Sequence, residues 1–177
     1  MNLDCGKCRV RDWRLADKPS LLRLADNRNV ARNLAHRFPH PYTEADADAW
    51  FVLLANKPQP TAWAIDVGGE AVGGIGIDVG EGIYAKTARF GYWLGEPLWG
   101  QGIMTAAVRA TADFALDHFD LVRLEAPVFA TRHGGDPEAI EEYFIKGAEA
   151  QTAVVDPTPA GGPTVPPPSD NIPDKLF

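Results

Sequence analysis

Cysteine is scarce: Cys5 and Cys8, spaced as Cys-x-x-Cys, are the only two in 177 residues. A structural zinc wants four ligands, and neither a second cysteine pair nor a spaced histidine pair follows. His36, His40, His118 and His133 are scattered, so no metal is expected. A redox Cys-x-x-Cys belongs between a strand and a helix, whereas a strand-like segment follows directly here, and the pair is read as two reduced thiols. Long apolar runs are missing too. No stretch approaches the ~18–20 residues of a membrane span. Met1-Asn2-Leu3-Asp4-Cys5 has no basic segment leading into an apolar one, which predicts an intracellular, cytoplasmic protein without a membrane partner. Excess positive charge is also lacking, with 17 Lys+Arg against 24 Asp+Glu. Non-specific nucleic-acid binding needs a basic patch to displace counterions from phosphates, so no nucleic-acid partner is expected.

The hydrophobic share, 45%, is enough for one ordinary core. The acidity is uneven. Residues 1–130 hold 14 Lys+Arg against 16 Asp+Glu, whereas 131–177 hold 3 against 8 and contain eight of the fifteen prolines. This divides the chain into a folded domain over 1–130 and an acidic, Pro-rich tail over 131–177. One helix is predicted in the tail over 136–150, and the Pro/Gly/Thr-rich 156–169 reads as disordered.

Within the domain, alternation predicts a first strand over 8–15. Asp17 is read as the cap of a helix carrying Leu21, Leu22, Leu24 and Ala25, and Val30 to Ala35 as a shorter helical piece. Two prolines stiffen the aromatic turn Phe38-Pro39-His40-Pro41-Tyr42. Thr43 and Asp46 form a capping-box signal for a helix to about Ala55, burying Ala47, Trp50, Phe51 and Leu54. Ala62–Val67 and Glu70–Val79 read as strands of a hairpin turning on Gly68-Gly69. Gly73, Gly74 and Gly76 weaken the second strand, and a bulge or tight packing explains them.

The stretch around which the rest is organised runs from Ala88 to His118. A strand over 88–94 passes through Gly100-Gln101-Gly102 into a helix whose apolar face is Ile103, Ala106, Ala107, Ala110 and Phe114. Helix N-termini offer unpaired N–H groups and a positive dipole end, so glycines there let a phosphate approach the backbone. A turn needing positive φ explains the paired glycines equally well. A Rossmann site is disfavoured, because Thr105 stands where the third glycine of Gly-x-Gly-x-x-Gly belongs. A strand over 121–129 follows the helix and should lie parallel to 88–94.

The order strand, two helices, hairpin, strand–Gly-x-Gly–helix, strand resembles the GNAT superfamily of acetyl-CoA-dependent N-acetyltransferases. Tyr92-Trp93-Leu94-Gly95-Glu96-Pro97-Leu98-Trp99-Gly100-Gln101-Gly102-Ile103-Met104-Thr105 is similar to the RimJ/RimL branch, as are Asn33-Leu34, Phe38-Pro39-His40-Pro41-Tyr42-Thr43 and Ala47-x-x-Trp50. The resemblance covers about residues 8–130. It implies an α/β (α+β type) fold: a mainly antiparallel mixed sheet with a central parallel pair, flanked by helices. It further implies that Trp93 and Leu94 line the pantetheine arm of acetyl-CoA and that Gly100, Gln101, Gly102, Ile103, Met104 and Thr105 hold its diphosphate. Phe38 and Tyr42 would border the acceptor pocket, although aromatic packing around the prolines explains them too. The implied reaction is acetyl transfer from acetyl-CoA to a primary amine, on a protein N-terminus or a small molecule.

Two departures limit the resemblance. Relatives carry Ala-Glu-x-Gly-Tyr-Trp on the central strand, the Glu being a base through water, whereas this chain has Arg89 there, and arginine stays protonated. No catalytic residue is therefore assigned; Glu125, Asp78 and Tyr92 are the substitutes considered. After Phe129 the family's closing helix and strands are replaced by Ala130-Thr131-Arg132-His133-Gly134-Gly135-Asp136-Pro137, a change of wording expected of a frameshift or misplaced exon boundary. The domain over 1–130 would then be incomplete, and the alternative function is a catalytically impaired protein that binds CoA or serves as an interaction module.

Overall fold

The computed structural model describes residues 1–35 and 38–126. Six strands lie in one mixed sheet in chain order: β1 (Asn2–Asp4), β2 (Arg9–Arg11), β3 (Ala62–Val67), β4 (Glu70–Val79), β5 (Thr87–Leu94) and β6 (Arg123–Glu125). All neighbours pair antiparallel except β5 and β6, which run parallel as expected for strands joined through a helix. Among the described residues four α-helices join the sheet: α1 (Lys18–Ala25), α2 (Arg28–Ala31), α3 (Glu44–Asn56) and α4 (Ile103–His118).

The two sheet faces bury different things. Trp63, Ile65, Ile75, Ile77 and Phe90 alternate onto the face that packs on α4, whose Ala107, Ala112 and Ala115 are fully buried and let helix and sheet approach closely. The opposite face carries Trp93 toward a second cluster, built by Leu21 and Ala25 of α1 with Tyr42 and Ala47. At the Gly68-Gly69 turn both residues have positive φ, the geometry a two-residue hairpin demands.

The N-terminal third differs from expectation. Of the strand predicted over 8–15 only Arg9–Arg11 forms, as β2, and it pairs with β1, a three-residue strand at Asn2–Asp4 outside the predicted stretch. Asp17 does not cap α1 with its side chain; its carboxylate instead takes hydrogen bonds from buried Arg11. The short helix begins at Arg28 rather than Val30, because Asn27 caps it by accepting from the N–H groups of Asn29 and Val30. On α4 the buried stripe is Ile103, Ala107, Val108, Thr111, Ala112 and Ala115, so Ala106, Ala110 and Phe114 lie on its half-buried flank. On α3 only Ala47 is buried, while Trp50, Phe51 and Leu54 are half-buried. The observed last strand, Arg123–Glu125, is the described part of the stretch predicted over 121–129. Residues 127–130, the helix expected over 136–150 and the Pro/Gly/Thr-rich stretch 156–169 lie outside the described residues.

The α3 cap forms as read. Thr43 Oγ1 accepts from the Asp46 N–H, and Asp46 accepts from the Thr43 N–H at 2.8 Å. Thr43→Ala should lower stability by about 1 kcal/mol, measured as a shift in urea midpoint at unchanged slope.

Candidate functional site

Three features meet around β5. At its C-terminal end Gly95 donates to Val72 O at 2.9 Å, and the Trp99 indole N–H donates to Leu94 O at 2.8 Å. The chain is thereby folded back over the end of the strand. A short helical turn, Glu96–Leu98, follows; Asn27 and Asn29 each donate to the Glu96 carboxylate at 2.7 Å, fixing it to α2. Gly100 and Gly102 have φ of 72° and 69°, the left-handed region in which a Cβ is disfavoured. Gly102 is the N-cap of α4 and no side chain caps that helix start, so its first amides face outward from the positive end of a 16-residue helix. Lys7, on the β1–β2 turn, donates from Nζ to Gln101 O at 2.9 Å.

Alongside the loop is a wedge. β6 pairs with β5 only from Thr87 to Arg89, so beyond Arg89 the outer edge of β5, Phe90 to Leu94, meets no strand among the described residues. Backbone N–H and C=O groups on such an edge can bond an extended ligand as a strand would. Glu125, at the end of β6, is ion-paired with Arg123 at 2.8 Å and lies 3.8 Å from Arg89. Asp78 stands across from Arg89 in the β4–β5 register.

On the other side of β5 is a cavity of about 270 Å³. Its floor is open because two cross-strand rows carry small residues: Ala62, Gly76 and Gly91 in one, Ala64 and Gly74 ending on Trp93 in the other. A Cβ on Gly74 would sit 2.7 Å from the Trp93 indole nitrogen, so the indole lies directly over that glycine. This is the tight packing expected of the β4 glycines, and the register also shifts opposite them, between Ile65 and Asp66. The walls come from Leu21, Leu34, Phe38, Tyr42 and Trp50. The Phe38 ring packs tilted against Tyr42 and Trp93, with centroids 5.4 Å and 6.0 Å away. Burial, reinforced by Asp46, raises the Tyr42 phenol to about 12, so it stays neutral and can donate a hydrogen bond at any ordinary pH.

The loop residues Gly100 to Thr105 are thus brought together at the helix start, and Phe38 and Tyr42 at the cavity. Trp93 points to the cavity with them, whereas Leu94 is buried beneath the loop, 6% exposed. Tyr92 also lines the cavity. Among the described residues no cluster of three or more His, Cys, Asp or Glu side chains could hold a metal ion, and no helix is long and apolar enough to cross a membrane. Sequence reasoning missed Lys7, since nothing local marks a contact across 94 positions.

A family model described as an acetyltransferase (GNAT) domain matches residues 7–134. The chain belongs to the GNAT acetyltransferases. Solved structures with the same arrangement include RimL, the ribosomal L7/L12 alpha-N-protein acetyltransferase, in complex with coenzyme A. That match has 19% identity over 83% of this chain and 82% of that one, with a TM-score of 0.65. Mycobacterium smegmatis RimJ, in complex with CoA-disulfide, is 26% identical over 72% of this GNAT chain and 65% of its own, at a TM-score of 0.61. The microcin C7 self-immunity acetyltransferase MccE, in complex with acetyl-CoA and AMP, is 17% identical over 72% of each chain, also at 0.61. No curated protein matches the sequence. The mixed sheet and its RimJ and RimL neighbours bear out the resemblance to that branch.

Proposed function

We propose that this GNAT domain transfers the acetyl group of acetyl-CoA to a primary amine, on a protein N-terminus or a small molecule. The observation that carries this reading is the placement of β5 between the wedge and glycine loop on one side and an aromatic cavity on the other. An acyl donor in the wedge and an acceptor in the cavity would meet at the same strand. The residues present fit the cosubstrate. Gly100, Gln101, Gly102, Ile103, Met104 and Thr105 would hold the diphosphate through backbone amides, which need no basic side chain. Trp93 and Leu94 would meet the pantetheine arm through their backbone, since the Trp93 ring lies in the cavity and Leu94 is buried, and the part of the β5 edge left unpaired among the described residues would hydrogen-bond its amides. A neutral amine would attack the thioester carbonyl, backbone N–H groups would stabilise the oxyanion that develops, and collapse of the tetrahedral intermediate would break the C–S bond, releasing CoA as its thiolate while the amine nitrogen gives up a proton to that thiolate or to water.

On the acceptor side, Phe38 and Tyr42 would border the amine. Apart from the Asp46 carboxylate their cavity is aromatic and aliphatic, which favours acceptors whose groups beside the amine are apolar, because an anion buried there would have no cationic partner and would face Asp46. No base is assigned: Glu125 is held between two arginines, and Arg89 occupies the position that the resemblance gives to a glutamate. That observation favours one alternative, a CoA-binding protein with weak or no transfer. Thiol release from acetyl-CoA should appear with a panel of N-terminal peptides and small amines, and its rate should rise with pH as the acceptor loses its proton. Tight CoA binding by calorimetry with no thiol release from any amine would replace this reading with the alternative.

A further inference from the structure

We infer that Lys7 is a positioning residue for the diphosphate loop and that the Cys5-Gly6-Lys7-Cys8 turn exists to hold it there; this rests on the acetyl-CoA reading of the loop. The turn is tightly built. Cys5 N–H donates to Cys8 O and Lys7 N–H to Cys5 O, each at 2.9 Å, and Gly6 N–H donates to Asp4 Oδ1 at 2.8 Å. It is then fastened to the start of α4 at two points: Lys7 Nζ on Gln101 O at 2.9 Å and the Cys8 thiol on Ile103 O at 3.7 Å.

The two contacts bracket Gly102. A trans peptide is planar, with its C=O and N–H pointing in opposite directions. Holding Gln101 O on the ammonium therefore turns the Gly102 N–H away from Lys7, outward from the helix end where an anion would lie. The ammonium has three N–H donors, of which the carbonyl uses one. It also passes so close to Gly102 that a Cβ there would lie 2.8 Å from Nζ. Lys7 thus sets the peptide plane of the loop and places a positive charge beside the bound diphosphate. The Cys-x-x-Cys spacing acquires a use without metal or redox chemistry: Cys8 is buried at 8% exposure against the helix start, and the pair flanks the lysine.

The test compares wild type, Lys7→Met and Lys7→Arg by calorimetric titration with CoA and by amide hydrogen exchange of the loop in the CoA-free protein. Lys7→Met should weaken CoA binding about 10-fold, the scale of one exposed charge-assisted hydrogen bond. It should also speed exchange over residues 101–105, and Lys7→Arg should recover most of both. In steady state the loss should fall on KM for acetyl-CoA and leave kcat nearly unchanged. Lys7→Met affinity within twofold of wild type overturns the inference, whatever the exchange shows, because the loop then needs no fixing. If wild type itself fails to bind CoA, the acetyl-CoA reading is what falls, and unchanged loop exchange in Lys7→Met would overturn Lys7's role separately.

Discussion

Gly102→Glu will bind CoA on the order of 100-fold more weakly than the wild-type chain while remaining folded. Three effects point the same way. The backbone at Gly102 has a φ of 69°, where an L side chain costs about 1–2 kcal/mol. The new carboxylate would stand at the N-terminus of α4, where the diphosphate is proposed to lie, and would repel it. The new side chain would also start 2.8 Å from Lys7 Nζ and draw that ammonium away from Gln101 O. Gly102→Ala separates the terms, since it keeps the backbone strain and removes the charge; it should cost CoA affinity much less than the glutamate. Titration calorimetry measures both, and near-ultraviolet circular dichroism checks the fold. Wild-type affinity in a folded Gly102→Glu variant would refute the loop as the diphosphate site.

The loop could be proposed from sequence because its information is local: two glycines one residue apart, preceded by a strand and followed by an apolar helical period. The β3–β4 hairpin was legible for the same reason, with a largely apolar strand-length run on each side of Gly68-Gly69. What escaped was set by partners distant in sequence. β1 is too short to show a period, and its three residues are a strand only because β2 pairs with them. Asn27 looks like a helix breaker until its side chain is seen capping α2 and reaching Glu96. Trp50 and Phe51 have the spacing of core residues but stay half-buried, Trp50 because it stands over the open space that the small residues of β3, β4 and β5 leave. The cavity is written as missing side chains on three strands, a pattern that no single strand displays.

Arg11→Met should destabilise the protein by about 3–5 kcal/mol, the cost of orphaning buried charge. Arg11 is 4% exposed, and four of its five guanidinium N–H groups meet an acceptor, one of them Asp12 O at 3.0 Å. Its Nε donates to Asp66 at 2.7 Å, and its two terminal nitrogens donate to the two oxygens of Asp17 at 2.8 Å each. Among the described residues the acids' other hydrogen bonds come from backbone, Asp17 from Arg14 N–H at 2.8 Å and Asp66 from Gly69 N–H at 2.9 Å. One guanidinium thus ties β2, the turn into α1 and the β3–β4 hairpin together. Without it two buried carboxylates face each other with no cation between them. The pH dependence identifies the cause. Burial alone would raise the Asp17 pKa, but hydrogen bonds from Arg11 and Arg14 and the charge of Arg11 outweigh it and hold the group below its ordinary value. A carboxylate depressed on folding contributes stability above its unfolded pKa, about 3.9, and loses it as pH falls through the lower folded value. In Arg11→Met burial dominates and the sign reverses, so protonation relieves the mutant where it weakens wild type. The stability gap between the two, read from urea unfolding, should therefore be widest near pH 7 and shrink as pH approaches 4. Adding Asp17→Asn to Arg11→Met should narrow it already at pH 7. A gap independent of pH, unmoved by that second substitution, would mean that Arg11 acts through packing alone.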